Sequence, residues 1–180
     1  NATKLRHIEA FEGDLSMMIN LSRFTMHHQE LATLTFEVIG SCRRQIENKS
    51  IDNCTNKILV GCLKRFRQDD QFDISEDKFD RLLEEEIKAV DVIDVHSESK
   101  RTIRFTGKDS ISHIVVGGLS LSRGFTVEGL IVSVFLRTTS TYDALMQMGR
   151  WFGHKQKFAD YISLYTTARI RRRFESIQRA

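Results

Sequence analysis

Arg150 stands three residues after Gln147 and five before Lys155. Upstream, the loop GGLSLSRG at 117–124 carries Gly117, Gly118, Ser120, Ser122, Arg123 and Gly124. Guanidinium, ammonium, hydroxyl and glycine N–H groups all donate hydrogen bonds to oxyanions, so the chemistry such a set performs is the holding of phosphate. Asp143, Gln147 and Arg150 recur at i, i+4 and i+7 and share one face of a helix predicted over about 140–152. Gly149 lets a backbone approach something closely there, and Gly153 stops the helix just before His154 and Lys155. Cationic side chains around a glycine-broken helix end suit a phosphate clamp. Each feature alone has a plainer reading: a solvated helix face with its C-cap, or a tight turn between strand and helix.

These residues need elements to present them. The stretch 114–155 holds six of the chain's ten glycines and two apolar runs, 114–116 and 130–136, which predict strands over 111–116 and 131–136. Near-continuous apolar runs are expected of strands covered on both faces of a parallel sheet. The pattern also predicts strands over 16–21, about 90–95, 102–105 and about 160–165. Helices are predicted over 24–48, about 56–68 and 76–89, with a basic one closing the chain. On the first, Leu31, Leu34, Thr35, Val38 and Ile39 recur at helical spacing, and on the third Phe79, Leu82, Leu83 and Ile87 share a face. Tyr142, Leu145, Met146, Gly149 and Phe152 form the buried side of the helix at 140–152. Alternating strands and helices give an α/β fold, a mostly parallel sheet flanked by helices. Ligands of such sheets lie outside the carboxyl ends of the strands. Gly117–Gly118 and His96–Ser97 both fall at such ends.

Length and composition narrow the options. The 180 residues, 41% hydrophobic, suit a single domain over 1–180, with 24–89 a helical segment within it. A first residue of Asn predicts a fragment of a longer protein. The net charge of +3 is too small to imply nucleic acid by itself. It is uneven: residues 84–86 are glutamates, and Arg169, Arg171, Arg172 and Arg173 crowd the C-terminus. Cys42, Cys54 and Cys62 lack zinc-ligand spacing and read as thiols of a reducing cytoplasm. No apolar run approaches a membrane span. Proline is absent altogether, for which we have no functional account.

Other chemistry is weaker. Asp91, Asp94 and Glu98 with Lys100 offer carboxylates and a lysine for a metal nuclease, but Asp91 and Asp94 fall on opposite faces of one strand. His27, His28 and Glu30 read as a polar helix face, and His7 and His113 stand alone. No metal site is expected. The terminal RIRRRFESIQR suits a phosphate backbone or a solvated helix end. Trp151 is the one plausible stacking platform for bases, and core packing is its ordinary role. No Walker A pattern occurs, so the chain lacks a phosphate-cradling P-loop.

The pair VVGGLSLSRGFTVEGL and YDALMQMGRWFGHK resembles the Z-one domain family of prokaryotes and their viruses, described as candidate endonucleases. The likeness is dense over about 111–165 and extends to MMINLSRFTMHH and VIDVHSESK. That family is similar in turn to the second RecA-like domain of superfamily-two helicases. Ser122-Arg123-Gly124 resembles the fifth helicase motif, and QMGRWFGHK the sixth. The resemblance implies a RecA-like, helicase C-terminal-like fold acting on DNA, in restriction or phage defence, in the cytoplasm. It implies ATP as cofactor, with Mg held mainly by a missing N-terminal RecA-like partner domain. Arg150 becomes an arginine finger for the γ-phosphate, positioned by Gln147, with Arg123, Gly124 and Lys155 lining the cleft. Gly117, Gly118, Ser120 and Ser97 would face nucleic acid. Where the family has Gly-Tyr-Arg, this chain has Gly153-His154-Lys155, so the planar fork of a second arginine is lost. A non-catalytic DNA-binding or interaction domain, or a metal-dependent nuclease, are the alternatives.

Overall fold

A computed structural model describes residues 2–3, 11–21, 24–48, 60–61, 75–95, 111–117, 127–136 and 160–179. In chain order they form β1 (Leu15–Asn20), α1 (Thr25–Asn48), α2 (Glu76–Ala89), β2 (Asp91–Val95), β3 (Ser112–Gly117), β4 (Leu130–Phe135), β5 (Ser163–Thr166) and α3 (Ala168–Gln178). The five strands make one sheet in the order β2-β3-β1-β4-β5, and every pairing is parallel. The α/β expectation therefore holds. The helix predicted over 56–68 is described only at Val60 and Gly61, which are helical. The strand at 102–105 and the helix at 140–152 lie outside the described residues.

The core follows from the pleat. Met18 pairs with Val115, and Val115 with Ile93, so the three share one face. With Val95, Val127 and Leu130 they form a buried cluster. Leu15 and Ile131 found a second cluster, onto which Ala2, Phe11, Val132 and Tyr161 pack. Each such side chain contributes roughly 1.5–3 kcal/mol when fully buried. Tyr161 belongs to a short 3₁₀ turn, not to the strand predicted from 160; that strand begins at Ser163.

α1 lies over β2 and β3 and against α2. Its inward stripe corrects the predicted one. His28, Cys42 and Ile46 are buried and Leu31, Thr35 and Ile39 half-buried, while Leu34 and Val38 are exposed. The stripe drifts along a 24-residue helix, running from His28 to Ile46. The pair His27–His28 is thus split rather than lying on a polar face. The His27 ring meets Phe24 edge-on, while His28 is buried.

Arg43 of α1 ties the two helices together. Its Nε donates to the carbonyl of Ile87 at 3.0 Å, and its Nη2 to that of Val90. Both carbonyls belong to the end of α2, where a helix has acceptors without internal partners and a negative dipole end. Arg43→Met keeps the apolar stem and removes the charged donors. It is expected to lower unfolding stability by about 1.5–3 kcal/mol in urea titration.

The amino edge of the sheet is pinned around β1. The Leu15 amide donates to the Ile111 carbonyl, and the Asp14 carboxylate accepts from the Ile111 amide at 3.1 Å. On the other side the Ser16 amide donates to the Gly129 carbonyl at 2.8 Å, and its hydroxyl to that of Glu128 at 2.7 Å. Gly129 has φ +60, and the register of β1 against β4 shifts just beyond it, between Ser16 and Met17.

Candidate functional site

The carboxyl edge is where the predicted chemistry should gather. Val95 pairs with Gly117, Asn20 with Phe135, and Phe135 with Thr166. Ile19 pairs with Val116, which sets Asn20 beside Gly117 one step further on. The last residues of all five strands thus form one row, Val95–Gly117–Asn20–Phe135–Thr166, and the sheet ends flush. Side chains in such a row point to one face.

The chain's path makes the middle of this row a switch point. From β1 the chain passes through α1 and α2 to β2, at one side of the sheet. From β4 it continues to β5, at the other. In open parallel sheets ligands bind where neighbouring strands feed connections in opposite directions, a point that the strand order places between β1 and β4.

Gly117 is the one predicted site residue within the described set. It ends β3 and is buried. Gly118, Ser120, Arg123 and Gly124 lie on the segment that follows it toward β4. Gln147, Arg150 and Lys155 lie between β4 and β5, and Ser97 comes two residues after the end of β2. These eight are outside the described residues. The parallel topology does establish that every segment carrying them departs from the same edge of the sheet.

Two further features of that edge are described. At β5, the Thr166 hydroxyl donates to the Phe135 carbonyl at 2.7 Å. Thr167 then caps α3, its hydroxyl accepting from the Ile170 amide at 3.3 Å while its carbonyl accepts the first helical bond from Arg171. Thr167→Ala is expected to cost about 1 kcal/mol of stability, read as a small shift in the urea midpoint. Ile170 is buried, whereas Arg169, Arg171 and Arg172 are exposed and Arg173 is half-exposed. Arg171 pairs with Glu175 one turn on, at 3.5 Å. Arg169, Arg172 and Arg173 fall within about a 100° arc of the helix, a basic face.

The second feature is Asn20, which sequence reasoning passed over inside the strand predicted over 16–21. It is fully buried, and among the described residues neither its amide nitrogen nor its amide oxygen has a hydrogen-bond partner. Its backbone carbonyl accepts from the Leu136 amide at 3.0 Å, so the main chain is satisfied and only the side chain is not. An Asn after an apolar run is the weak signal that marks it.

The carboxylates predicted to be split are split. Asp91 pairs with His113 and Asp94 with Val116, which puts the two acids on opposite faces of β2. Among the described residues no group of three or more His, Cys, Asp or Glu could hold a metal ion. Nor is any described helix long and apolar enough to cross a membrane.

Compared with known proteins, the chain matches one family model, described as Z1 domain, over residues 2–180. No curated protein and no solved structure matches it.

Proposed function

Given that the chain belongs to the Z1 domain family, we propose that it is the RecA-like, helicase-like module of an ATP-dependent enzyme acting on DNA. In this reading it supplies the arginine half of an ATP site. The observation that supports it best is the flush carboxyl edge of an all-parallel sheet, from which the GGLSLSRG segment and the QMGRWFGHK segment both depart. Strand ends of this kind gather ligand-binding groups from several loops at one crevice. Arg150 then stabilises the charge that develops on the transferred phosphoryl group, and Gln147 orients it. Arg123, Gly124 and Lys155 line the same cleft. Gly117, Gly118, Ser120 and Ser97 face the nucleic acid.

The nucleotide itself is cradled elsewhere. The 180 residues contain no Walker A pattern, so the P-loop, its lysine and most of the Mg²⁺ coordination belong to a partner domain. The isolated chain is expected to show no ATP turnover above buffer, measured by phosphate release. Steady hydrolysis by the clean chain would sink the half-site reading. Cleavage of DNA, as an endonuclease, is the activity such ATP-driven motion would serve. A Mg²⁺-dependent cleavage assay with Asp94→Ala and Arg150→Ala tests whether β2 or the finger governs it.

A second reading, a DNA-binding domain without ATPase function, is favoured by the basic face of α3. Exposed arginines at a helix start neutralise phosphates without reading sequence. Replacing Arg169 and Arg172 together by Gln is expected to lower the slope of log binding constant against log salt by roughly 2. An unchanged slope would remove α3 from the DNA interface.

A further inference from the structure

The Asn20 side chain is packed inside the fold, but among the described residues nothing uses its hydrogen-bonding groups, and its surroundings argue for a role in binding. A buried amide left without partners is unfavourable, and native chains keep such groups where something else bonds them. Both polar atoms of Asn20 are in this condition, in a residue with 0% exposure. Its strand is the centre of the sheet, and it is the last residue of that strand. On one side its neighbour is Gly117, which has no side chain to fill the space; on the other is Phe135, which cannot hydrogen-bond. No side chain next to it in the row can satisfy the amide.

The same edge favours negative charge. α1 starts at Thr25, five residues after Asn20, and α3 starts at Ala168, directly after the cap that follows β5. Both therefore begin at the carboxyl edge, and a helix start carries partial positive charge. Neither helix has an acidic residue in its first turn to neutralise that charge. Arg169 and Arg172, both exposed, add formal charges on α3.

An amide needs a ligand that both accepts and donates. Its NH₂ suits a phosphate oxygen, and its carbonyl suits a sugar hydroxyl or a base N–H. A nucleotide unit carries all of these within a few ångströms. We propose that Asn20 is a binding residue for the phosphate-bearing unit of a nucleotide, whether a mononucleotide or one link of a nucleic-acid strand. This inference rests on the proposed function in placing the ligand site at this edge, but it assigns a residue that neither motif contains.

The test compares the protein with its Asn20→Leu and Asn20→Asp variants, by thermal unfolding and by binding of two probes, MgATP and a single-stranded DNA oligonucleotide. Leucine has the shape of asparagine and no polar atoms. Without ligand, Asn20→Leu is expected to melt about 2–4 °C higher than wild type, since it removes two unpaired polar atoms. It should also bind about 10-fold or more weakly whichever probe the wild type binds. Asn20→Asp, which sets a negative charge against the phosphate, should bind more weakly still. Loss confined to MgATP identifies a mononucleotide, and loss confined to the oligonucleotide identifies the strand. A lower melting temperature for Asn20→Leu would show that the amide has a structural partner, and overturn the inference. So would unchanged affinity for both probes, which would leave the proposed function standing. A wild type that binds neither probe overturns the inference, and with it the nucleic-acid contact at this edge, but not the half-site reading, in which a partner domain cradles the nucleotide.

Discussion

Arg150→Ala is expected to reduce ATP turnover about 10³-fold or more once the domain is assembled with the partner that cradles the nucleotide. The effect belongs in kcat. An arginine finger meets its charge only as the phosphoryl group leaves, so it adds little to binding of the ground state. The KM for ATP should stay within a few-fold of wild type. Arg150→Lys should recover little, because an ammonium presents a point charge where the guanidinium presents a planar fork to two oxygens. Lys155 follows the opposite logic. If a second arginine is useful at that position, Lys155→Arg should raise turnover modestly; no change would show that the cleft is complete without it. Steady-state kinetics over a range of ATP concentrations separates the two parameters. A fall in kcat/KM carried entirely by KM would make Arg150 a binding residue only.

The largest effect on folding is expected at Gly129. Its φ of +60 lies in the left-handed region, where a side chain costs about 1–2 kcal/mol. A Cβ built there would also lie 1.8 Å from the Asp14 carbonyl oxygen and 2.9 Å from the Leu15 Cα. Those atoms are backbone at the entry to the central strand, so they cannot swing aside. Overpacking of this kind adds roughly 1–3 kcal/mol. Gly129→Ala should therefore destabilise by about 2–5 kcal/mol, a large part of the stability of a domain this size. Gly40 provides the control. It lies inside α1, and a Cβ there would meet only the Arg44 Nη1, at 3.5 Å. Gly40→Ala should stabilise by up to about 1 kcal/mol, since alanine loses less freedom in a helix. Urea unfolding of the two variants reads both signs. Equal stability for Gly129→Ala and wild type would mean that the turn at 128–129 is not as described.

Why these glycines differ cannot be seen in the sequence, where both interrupt apolar stretches. The difference lies in the approach of Asp14, more than a hundred positions away from Gly129 in the chain. The same limit runs through the fold. β3 and β4 were legible because strands buried on both faces must be apolar nearly throughout, and Val115, Val116, Leu130 and Ile131 are all buried. α2 was legible because Phe79 and Ile87 sit on one turn-spaced face. The face of α1 was misread in part. Leu34 and Val38 are apolar yet exposed, while the stripe that packs inward includes Cys42 and also His28, which hydropathy does not single out. Periodicity reports composition, and burial is decided by which neighbours the sheet supplies.

The candidate site divides in the same way. The segments that carry Arg123 and Arg150 lie outside the described residues, and their phosphate role is an expectation drawn from glycine, serine and arginine crowded in a short stretch. Gly117 was placed correctly at a strand's carboxyl end. Asn20 was not recognisable, because it fell inside the strand predicted over 16–21 as one polar residue among apolar ones. Its significance comes from Gly117 and Phe135, which only the strand order β3-β1-β4 brings to either side of it.

The arginine finger can be tested most directly by trapping the transition state. ADP with aluminium fluoride imitates the transferred phosphoryl group, whereas a non-hydrolysable ATP analogue imitates the ground state. In the assembled enzyme, Arg150→Ala should bind the ATP analogue as wild type does and fail to retain ADP–fluoroaluminate. Equal retention of ADP–fluoroaluminate by Arg150→Ala and wild type would contradict the assignment of Arg150 to the ATP site.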